Sequence, residues 1–401
     1  MIKISRQSDR KAERQRVKTF LCILLLLLFV SAVFSQTPQR HTAQAAFESL
    51  TKRAEAARQA DKPDEAIKLY QQAITRKPTW VEGWWALGTI YYQLDRYVEG
   101  RNAFKRLVAL EPKGGVGWAF LGLCEFQLKE YANALVHLQQ GRDAGLGSNE
   151  EIARVARYHA AILLTRFAQF ELAFSVLQEL AKGQSESPTV FEACGLMMLR
   201  LAYLPSETPA EKREVVMKTG RAAFYLLADR RQEAAQEFQE LVAAFPNTPD
   251  VHYAYGIFFL RESPDEALRE FKQELQLSPQ HVFARLQIAF ESLKRNDSAA
   301  GLSYAEEAVK LAPQLFAAHN ALGRILYELG QTERAIKELE TGVKQAPDSP
   351  EMYFALARAY SKAGRKVEAD RARAEFMRLD KIRRARKESF VGDKPAPETK
   401  P

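Results

Sequence analysis

Histidine and cysteine are the residues of this chain best suited to metal binding, proton transfer or nucleophilic attack. The chain has six histidines and three cysteines, yet it contains neither an HExxH pair nor a CxxC pair. Those spacings bring two ligands or two thiols together, so their absence removes the usual helix-borne zinc and redox sites. A Gly-rich phosphate loop and a GxSxG nucleophile elbow are also absent. The sequence therefore assigns no catalytic, cofactor-binding or metal-binding residue, and it predicts a protein that is not an enzyme.

The three cysteines lie far apart in the chain. Cys22 is within an N-terminal apolar run, whereas Cys124 and Cys194 lie in helical stretches at positions that face neighbouring helices. A cysteine in such a place usually acts as a small buried hydrophobic residue. We therefore expect Cys124 and Cys194 to be buried thiols rather than partners in a disulfide.

The net charge of +8 is concentrated at the two ends of the chain. Residues 1–20 contain seven Lys and Arg against two acids, and residues 378–401 contain eight against four. The long segment between them is close to neutral, whereas a nucleic-acid-binding domain needs a basic face to contact phosphates. We therefore expect no nucleic acid among the partners.

The first 35 residues have the pattern of a targeting segment. Seven basic residues precede the apolar run 20–34, and Val33 and Ser35 fit a cleavage site. As a helix, the apolar run alone would span ~22 Å, but residues 17–35 would span ~28 Å, close to the thickness of a membrane. Residues 1–35 are thus either a cleaved signal peptide or a retained membrane anchor. Both alternatives place the rest of the chain outside the cytoplasm, in the periplasm or cell envelope, because the basic flank stays inside.

Beyond residue 46 the chain repeats itself every 34 residues. The interval links Trp84 with Trp118 and Pro313 with Pro347, and self-similarity of this kind is typical of arrays of helix pairs. The clearest copy, residues 81–114, resembles the tetratricopeptide repeat and matches its pattern at Trp84, Leu87, Gly88, Tyr91, Phe104 and Pro112. The resemblance implies an all-α, right-handed superhelical solenoid of antiparallel helix pairs, with about nine repeats.

Small residues recur at two positions of each repeat. Position 8 holds Ala54, Gly88, Gly122, Ala289, Gly323 and Ala357, and position 20 holds Ala66, Gly100, Ala134, Gly301, Ala335 and Ala369. In the tetratricopeptide pattern these positions lie where the two helices of a pair approach closely, so that only Gly or Ala fits. A proline near position 32 ends the second helix because it lacks an amide N–H.

The repeats fall into two arrays. An N-terminal array is expected over residues 47–187 and a C-terminal array over residues 215–370. Residues 188–214 begin as a first helix and continue into a proline-containing stretch, which predicts one irregular orphan helix and a loop. A charged capping helix over residues 371–386 and a disordered tail over residues 387–401 complete the predicted layout.

The resemblance also implies a binding surface, because arrays of this family bind along the concave face that their first helices line. The residues that this geometry places on the concave face are the candidate partner contacts: Trp85, Tyr92, Phe126, Tyr253, Phe283, Phe290, Arg324, Tyr327, Phe354 and Arg358. The Lys, Asn and Arg clamp that some members use for chaperone carboxyl termini is not present at these places. The apolar strip from Tyr253 to Leu293 is either an open groove for a partner or filled internally, by tight curvature or by residues 188–214.

These observations predict a protein-interaction scaffold or adaptor of the cell envelope that binds a partner peptide or helix. A membrane-anchored structural assembly factor of the envelope is the alternative, and it requires that residues 1–35 stay attached to the mature protein. An enzyme with a site assembled across repeats is a third alternative. The expected partners are thus a protein or peptide and, where the N-terminal segment is retained, the membrane.

Overall fold

The described part of the chain is built from helices. A computed structural model describes residues 44–147, 149–182 and 186–391, with side chains described up to residue 384. No strand occurs in those ranges, and the predicted all-α class is confirmed. The α-helices in chain order are α1 (44–59), α2 (Pro63–Arg76), α3 (Val81–Gln93), α4 (Tyr97–Leu110), α5 (Gly115–Gln127), α6 (Tyr131–Ala144), α7 (Glu150–Arg166), α8 (Phe170–Ala181), α9 (Pro188–Met198), α10 (Arg213–Leu227), α11 (Arg231–Ala244), α12 (Val251–Phe259), α13 (Pro264–Leu277), α14 (Val282–Lys294), α15 (Ser298–Leu311), α16 (Phe316–Glu328), α17 (Thr332–Gln345), α18 (Pro350–Lys362) and α19 (Lys366–Val391).

The predicted targeting segment, residues 1–35, lies outside the described residues. Among the helices that are described, none combines the length and the apolar character needed to cross a membrane. Helix α19 is 26 residues long, but it is rich in charged side chains.

The helices form two compact units. Unit 1 contains α1 to α5 and ends at Lys129, and unit 2 contains α6 to α19 and begins at Glu130. The boundary between the units therefore falls inside the stretch predicted as the N-terminal array. In each unit the buried apolar residues form local clusters that adjacent helices share. A core of this kind, with contacts mainly between helices that are close in the chain, is what stacked repeats produce.

The two helices of a repeat touch at the small residue of position 8. A Cβ atom added to Gly88 would lie 2.8 Å from the Phe104 ring, and one added to Gly323 would lie 2.6 Å from Cγ of Leu339. Atoms in folded proteins do not pack at such distances, so any larger residue would push the two helices apart. The spacing of small residues in the sequence thus marks real close contacts between helices.

The turn between the first and second helix of a repeat contains a residue with left-handed backbone in the described pairs other than α12–α13. Gly330, with φ of +77°, and Gly364, with φ of +75°, occupy this place in the last two repeats. Elsewhere the same place holds a residue with a side chain: Asp61, Asp95, Lys129, Ala168, Asp229 and Asn296. Glycine adopts this conformation without a steric cost, and Asp and Asn adopt it more readily than other residues. The first helices therefore end at a fixed register even where glycine is absent.

Helix α9 ends with the same left-handed turn residue, Arg200, whose φ is +52°. No second helix follows directly within residues 199–212. Two short 3₁₀ turns, Pro205–Glu207 and Ala210–Lys212, lead instead into α10. The beginning of residues 188–214 thus behaves as the first helix of a repeat whose second helix is missing.

Glycines allow α9 to pack directly against α10. A Cβ atom on Gly195 would lie 1.9 Å from the carbonyl oxygen of Val216, and one on Gly220 would lie 1.8 Å from the carbonyl oxygen of Phe191. Helix α10 also packs against α11, so it belongs to two helix pairs. The helix predicted as an orphan therefore has a packing partner, because two glycines remove the side chains that would keep the backbones apart.

In several first helices a ring N–H donates a hydrogen bond to a backbone carbonyl in the turn before the helix. Trp84 Nε1 donates to the carbonyl of Pro78, six residues earlier, at 2.8 Å, and Trp118 makes the equivalent contact at 2.9 Å. His252 and His319 occupy the same position in unit 2, with Nε2 3.0 Å from the proline carbonyl oxygen six residues earlier. A carbonyl oxygen only accepts, so Nε2 carries the proton. Histidine thus replaces tryptophan in a structural role that the sequence analysis did not assign.

The two described cysteines are buried thiols. Cys124 in unit 1 and Cys194 in unit 2 have no exposed surface, and neither forms a disulfide. Burial disfavours the thiolate, which raises the pKa of Cys124 to about 12 and also raises the pKa of Cys194. The prediction of inert, buried thiols at these two positions is confirmed, whereas Cys22 lies outside the described residues.

The described chain ends in one long helix. Helix α19 runs unbroken over Lys366–Val391, and its first part packs against α18 as the second helix of the last repeat. The predicted capping helix, residues 371–386, is therefore a continuation of that repeat. Residues 387–391 are helical too, so the predicted disordered tail begins too early, and residues 392–401 lie outside the described residues.

Candidate partner-binding site

In unit 1 two of the predicted partner contacts, Trp85 and Tyr92, belong to a cluster of aromatic rings. The rings of Trp85 and Tyr92 meet the Phe120 ring edge-on, with centres 5.3 Å and 5.4 Å away. Phe126 is half-buried on α5. Trp85 also lines a groove of about 580 Å³ between α1 and α3, which Trp80 and other side chains complete. In unit 1 the candidate that reaches a groove is therefore Trp85.

In unit 2 the aromatic strip is filled by a side chain of the protein itself. The guanidinium of Arg200 lies 3.2 Å from the centre of the Phe283 ring, 4.6 Å from that of Phe170 and 5.8 Å from that of Tyr253. Arg200 also donates to the Tyr253 hydroxyl at 3.3 Å and pairs with Glu171 at 2.9 Å. Stacking of a cation on aromatic faces is favourable, above all where water is excluded. At these rings the strip is filled from within, by a residue of the segment 188–214.

Two of the predicted contacts are therefore wholly or partly covered by the protein itself. Tyr253 is only 4% exposed, so its assignment as a partner contact is wrong. Phe283 lies beneath Arg200 and is half-buried. Phe290 is half-buried as well, and it packs in the cluster that α14 shares with α16. Sequence reasoning missed Arg200 because this residue is 53 positions away from Tyr253 and belongs to the irregular segment.

Four other predicted contacts, Arg324, Tyr327, Phe354 and Arg358, come together in one pocket formed mainly by α16, α18 and α19. We call it the C-terminal pocket. It has a volume of about 380 Å³ and is lined by Asn320, Arg324, Tyr327, Glu328, Leu339, Glu351, Phe354, Ala355, Arg358, Phe376 and Arg383. Phe376 and Arg383 were missed as pocket residues because α19 was interpreted as a solubilising cap. An aromatic residue within so charged a helix was the available signal.

Aromatic rings form the apolar wall of the C-terminal pocket. Phe354 is 50% exposed, and its ring centre lies 5.4 Å from that of Phe376. The Tyr327 ring is covered by two cations, with Arg358 4.6 Å and the Lys362 ammonium 4.4 Å from its centre. The pocket therefore combines an open apolar surface at Phe354 with positive charge around Tyr327.

Two of the three arginines that line the pocket form ion pairs with carboxylates of the described residues. Arg358 lies 3.4 Å from Glu328, and Arg383 forms ion pairs with Glu351 and, at 2.6 Å, with Asp380. Arg324 forms no ion pair or hydrogen bond with the described residues. Desolvation and the nearby charge of Arg358 both lower the pKa of Arg324. The charge of Glu328 opposes this shift, and the Arg324 guanidinium lies 6.0 Å from the centre of the Phe290 ring.

Asp250, Glu274 and His281 are the group that the described residues offer as possible metal ligands. Their polar atoms are already used within the protein. Glu274 accepts hydrogen bonds from the backbone N–H groups of Asp250 at 3.0 Å and Tyr253 at 3.2 Å. Nδ1 of His281 accepts from the N–H of Ala284 at 2.9 Å, while Nε2 lies 2.9 Å from Asp250 Oδ1. These bonds satisfy the free N–H groups at the starts of α12 and α14, so the group has a capping role.

Family profiles match the segments in which regular helix pairs occur. The tetratricopeptide repeat profile matches residues 51–115, 86–145 and 286–340, and a TPR repeat profile matches residues 323–364. These segments contain the close contacts at position 8 and the left-handed turns described above. These segments of the chain are tetratricopeptide repeats. Arrays of this class generally serve as scaffolds for protein–protein interaction.

Solved structures with a similar arrangement of helices include several of MamA. MamA from Desulfovibrio magneticus RS-1, residues 41 to the end, has 20% identity and a TM-score of 0.39, with 42% of this chain and 96% of that chain covered. Another MamA crystal structure has 16% identity and a TM-score of 0.37, with 45% and 96% covered. Likenesses at this level say nothing about what this chain binds. No curated protein sequence matches the chain.

Proposed function

We propose that this protein is an interaction scaffold of the cell envelope that holds a partner protein at the C-terminal pocket. The observation that carries the proposal is the convergence of Arg324, Tyr327, Phe354 and Arg358 on one open pocket. Exposed aromatic rings and arginines contribute most of the binding free energy in many protein interfaces. Here both kinds of side chain stand together, on first helices of successive repeats.

The C-terminal pocket is a better candidate than the apolar strip of α12 and α14. Arg200 already occupies the strip at Phe283, and Tyr253 is buried. Phe354, in contrast, keeps half of its surface exposed, and it has no capping cation within the described residues. A partner side chain that covers Phe354 would remove that apolar surface from water without displacing a bound group.

We infer that the pocket binds rather than catalyses. Its lining contains no His, Cys or Ser, and its two carboxylates, Glu328 and Glu351, are each paired with an arginine. A nucleophile with an adjacent base is therefore missing from this site. The near-neutral segment between the basic chain ends gives no support for nucleic acid as a partner.

Phe354→Glu tests the site. A carboxylate on this half-exposed position should leave the fold nearly intact, because a charge on a solvent-facing surface costs little. Loss of an aromatic anchor should weaken partner binding by about 2 kcal/mol, or roughly 30-fold. Affinity capture from the native envelope, quantified by mass spectrometry and accompanied by circular dichroism melts, measures both effects.

Phe316→Glu is the matched control. Phe316 is 38% exposed on α16 and does not line the C-terminal pocket. The same set of partners should therefore be captured by this variant and by the wild type. Equal capture by Phe354→Glu and Phe316→Glu would reject the C-terminal pocket as the binding site and direct attention to Trp85.

The envelope location rests on the basic and apolar pattern of residues 1–35. A cleaved signal peptide is consistent with a free scaffold, whereas a retained segment favours the alternative function of a membrane-anchored assembly factor. The mass of the protein purified from its native membrane fraction distinguishes these two. A mature chain that begins near residue 36 would exclude the anchored form.

A further inference from the structure

The outer side of α19 carries a line of exposed side chains. Four exposed residues recur there at intervals of three or four positions: Arg373, Met377, Lys381 and Arg384. Residues at these intervals lie above one another on a helix, so the line is about 17 Å long. We call it the basic stripe. Ala372 and Leu379, on the opposite side of α19, are buried.

The end of α19 has a strong excess of positive charge. Residues 371–387 contain eight Lys and Arg against two acids, a net charge of +6. Both acids pair with arginines of the same helix: Glu375 with Arg378, and Asp380 with Arg383 and Arg384. Ion pairs of exposed arginines are weak, so another anion can replace the carboxylates. The protein therefore neutralises the cations of the basic stripe only in part.

Two apolar side chains lie among these cations. Met377, 66% exposed, lies between Arg373 and Lys381 in the basic stripe, and Ile382, 40% exposed, lies beside it. The surface of an anionic membrane matches this mixture. Lys and Arg bind headgroup phosphates there, while apolar side chains enter the boundary between headgroups and acyl chains.

The shape of the basic stripe favours a flat surface over a peptide or a nucleic acid. Its residues line neither the C-terminal pocket nor the groove of unit 1. Side chains that dominate protein interfaces generally lie in well-packed pockets. Single-stranded nucleic acid stacks its bases on aromatic rings, and none of the four residues of the stripe is aromatic.

We propose that the basic stripe of α19 binds the anionic headgroups of a membrane surface. Its three cations contact lipid phosphates, and Met377 and Ile382 enter the edge of the acyl region. This contact is peripheral and lies at the opposite end of the chain from residues 1–35. It holds the scaffold at a membrane while the C-terminal pocket stays available to a partner protein. The inference rests on the proposed envelope location, because a membrane must be within reach.

A fluorescent probe on the basic stripe tests the inference. In the full mature chain, Met377→Cys is labelled briefly with a nitrobenzoxadiazole dye, whose emission rises and shifts to shorter wavelength in a membrane interface. Cys124 and Cys194 are buried and stay unlabelled, and Cys22→Ser removes the third thiol where the N-terminal segment is retained.

The labelled chain is mixed with vesicles of phosphatidylcholine alone or with about one third phosphatidylglycerol. We expect half of the signal to need at least about tenfold less lipid with the anionic vesicles. This difference should shrink as salt is added. The same dye on Leu172→Cys, at a position of α8 that is 54% exposed, should give no signal with either kind of vesicle. Insertion of residues 1–35 alone is thereby distinguished from contact at α19.

Charge reversals locate the contact. Lys381→Glu combined with Arg384→Glu should abolish the preference for anionic vesicles. Lys310→Glu combined with Lys337→Glu is the matched control, because it changes the net charge equally at exposed positions of α15 and α17. This control should keep the preference, and circular dichroism melts show whether each variant is folded. Lys381→Gln alone is a milder change, and it should reduce the preference by up to about fivefold.

Several results would overturn the inference. Equal signals with the two kinds of vesicle, or no signal with either, exclude an anionic membrane surface as the ligand. Equal losses in the two charge-reversal pairs mean attraction by the overall charge. A larger signal with a single-stranded oligonucleotide or with polyglutamate assigns the stripe to a soluble polyanion. Partner capture through Phe354 remains a separate test of the proposed function, because Phe354 lies outside the basic stripe.

Discussion

His252 is a buried histidine whose two ring nitrogens both face acceptors. Nδ1 lies 2.6 Å from Oε2 of Glu270, and Nε2 lies 3.0 Å from the carbonyl oxygen of Pro246. A neutral imidazole has a single N–H, so only the protonated ring donates to both. The hydrogen bond to Glu270 accordingly raises the pKa of His252, with a smaller contribution from Pro246, although burial opposes the shift.

This shift makes the stability of unit 2 depend on pH. Because the pKa in the folded state exceeds that of the unfolded chain, about 6.5, the stabilisation is fully present below pH ~6.5. It is lost as the pH rises through the folded-state value. Urea unfolding between about pH 5.5 and 8.5 should therefore show decreasing stability, and Glu270→Gln should flatten this dependence. Glu266→Gln, on the exposed side of the same helix, should not.

Some contacts in the candidate site could be predicted from the sequence and others could not. Register alone places Arg324 and Arg358 together, because they occupy one position in successive repeats. Tyr253 belongs instead to a core cluster with Phe271 and Ala284, and its ring also faces Arg200, a residue of the irregular segment 188–214. A long side chain at an irregular turn has many possible directions, and only the folded backbone selects one.

Helices α9 and α10 form the least regular pair of elements, and their contact has no space for a methyl group. In Gly195→Ala the new Cβ would lie 1.9 Å from the Val216 carbonyl oxygen, so the helices must separate. We expect a loss of about 1–3 kcal/mol, or more, in the free energy of unfolding. Chemical denaturation monitored by circular dichroism measures the change.

Gly114→Ala provides the comparison. Its added methyl would meet mainly the flexible and exposed side chain of Glu111, at 3.3 Å. This substitution should change the unfolding free energy by less than about 0.5 kcal/mol. Similar stability of both variants would mean that α9 and α10 do not approach as closely as described.

The regular helix pairs were predictable because small residues, turn residues and prolines recur at one interval. The pairing of α9 with α10 was not, because the two helices are joined by the irregular segment 199–212 and not by the short turn of a regular pair. The length of α19 was underestimated for a different reason. Its charged residues indicate a solvated helix equally well whether it ends at residue 386 or continues.

At the scale of the whole molecule, the targeting pattern makes a prediction about topology. A reporter enzyme that is active only outside the cytoplasm, fused after residue 60, should be active, because the basic flank of the apolar run stays inside. A fusion in which Lys3, Arg6 and Arg10 are replaced by Glu should lose most of this activity. Activity of a cytoplasmic reporter at the same junction would refute export.

Among the described residues, each compact unit contains one thiol with no exposed surface, Cys124 in unit 1 and Cys194 in unit 2. A water-soluble alkylating reagent reaches such a sulfur only while the surrounding helices are open. The rate at which each cysteine is modified, read by peptide mass spectrometry, is therefore an opening rate for its own unit. The native chain thus reports the kinetics of its two units separately, without any engineered label.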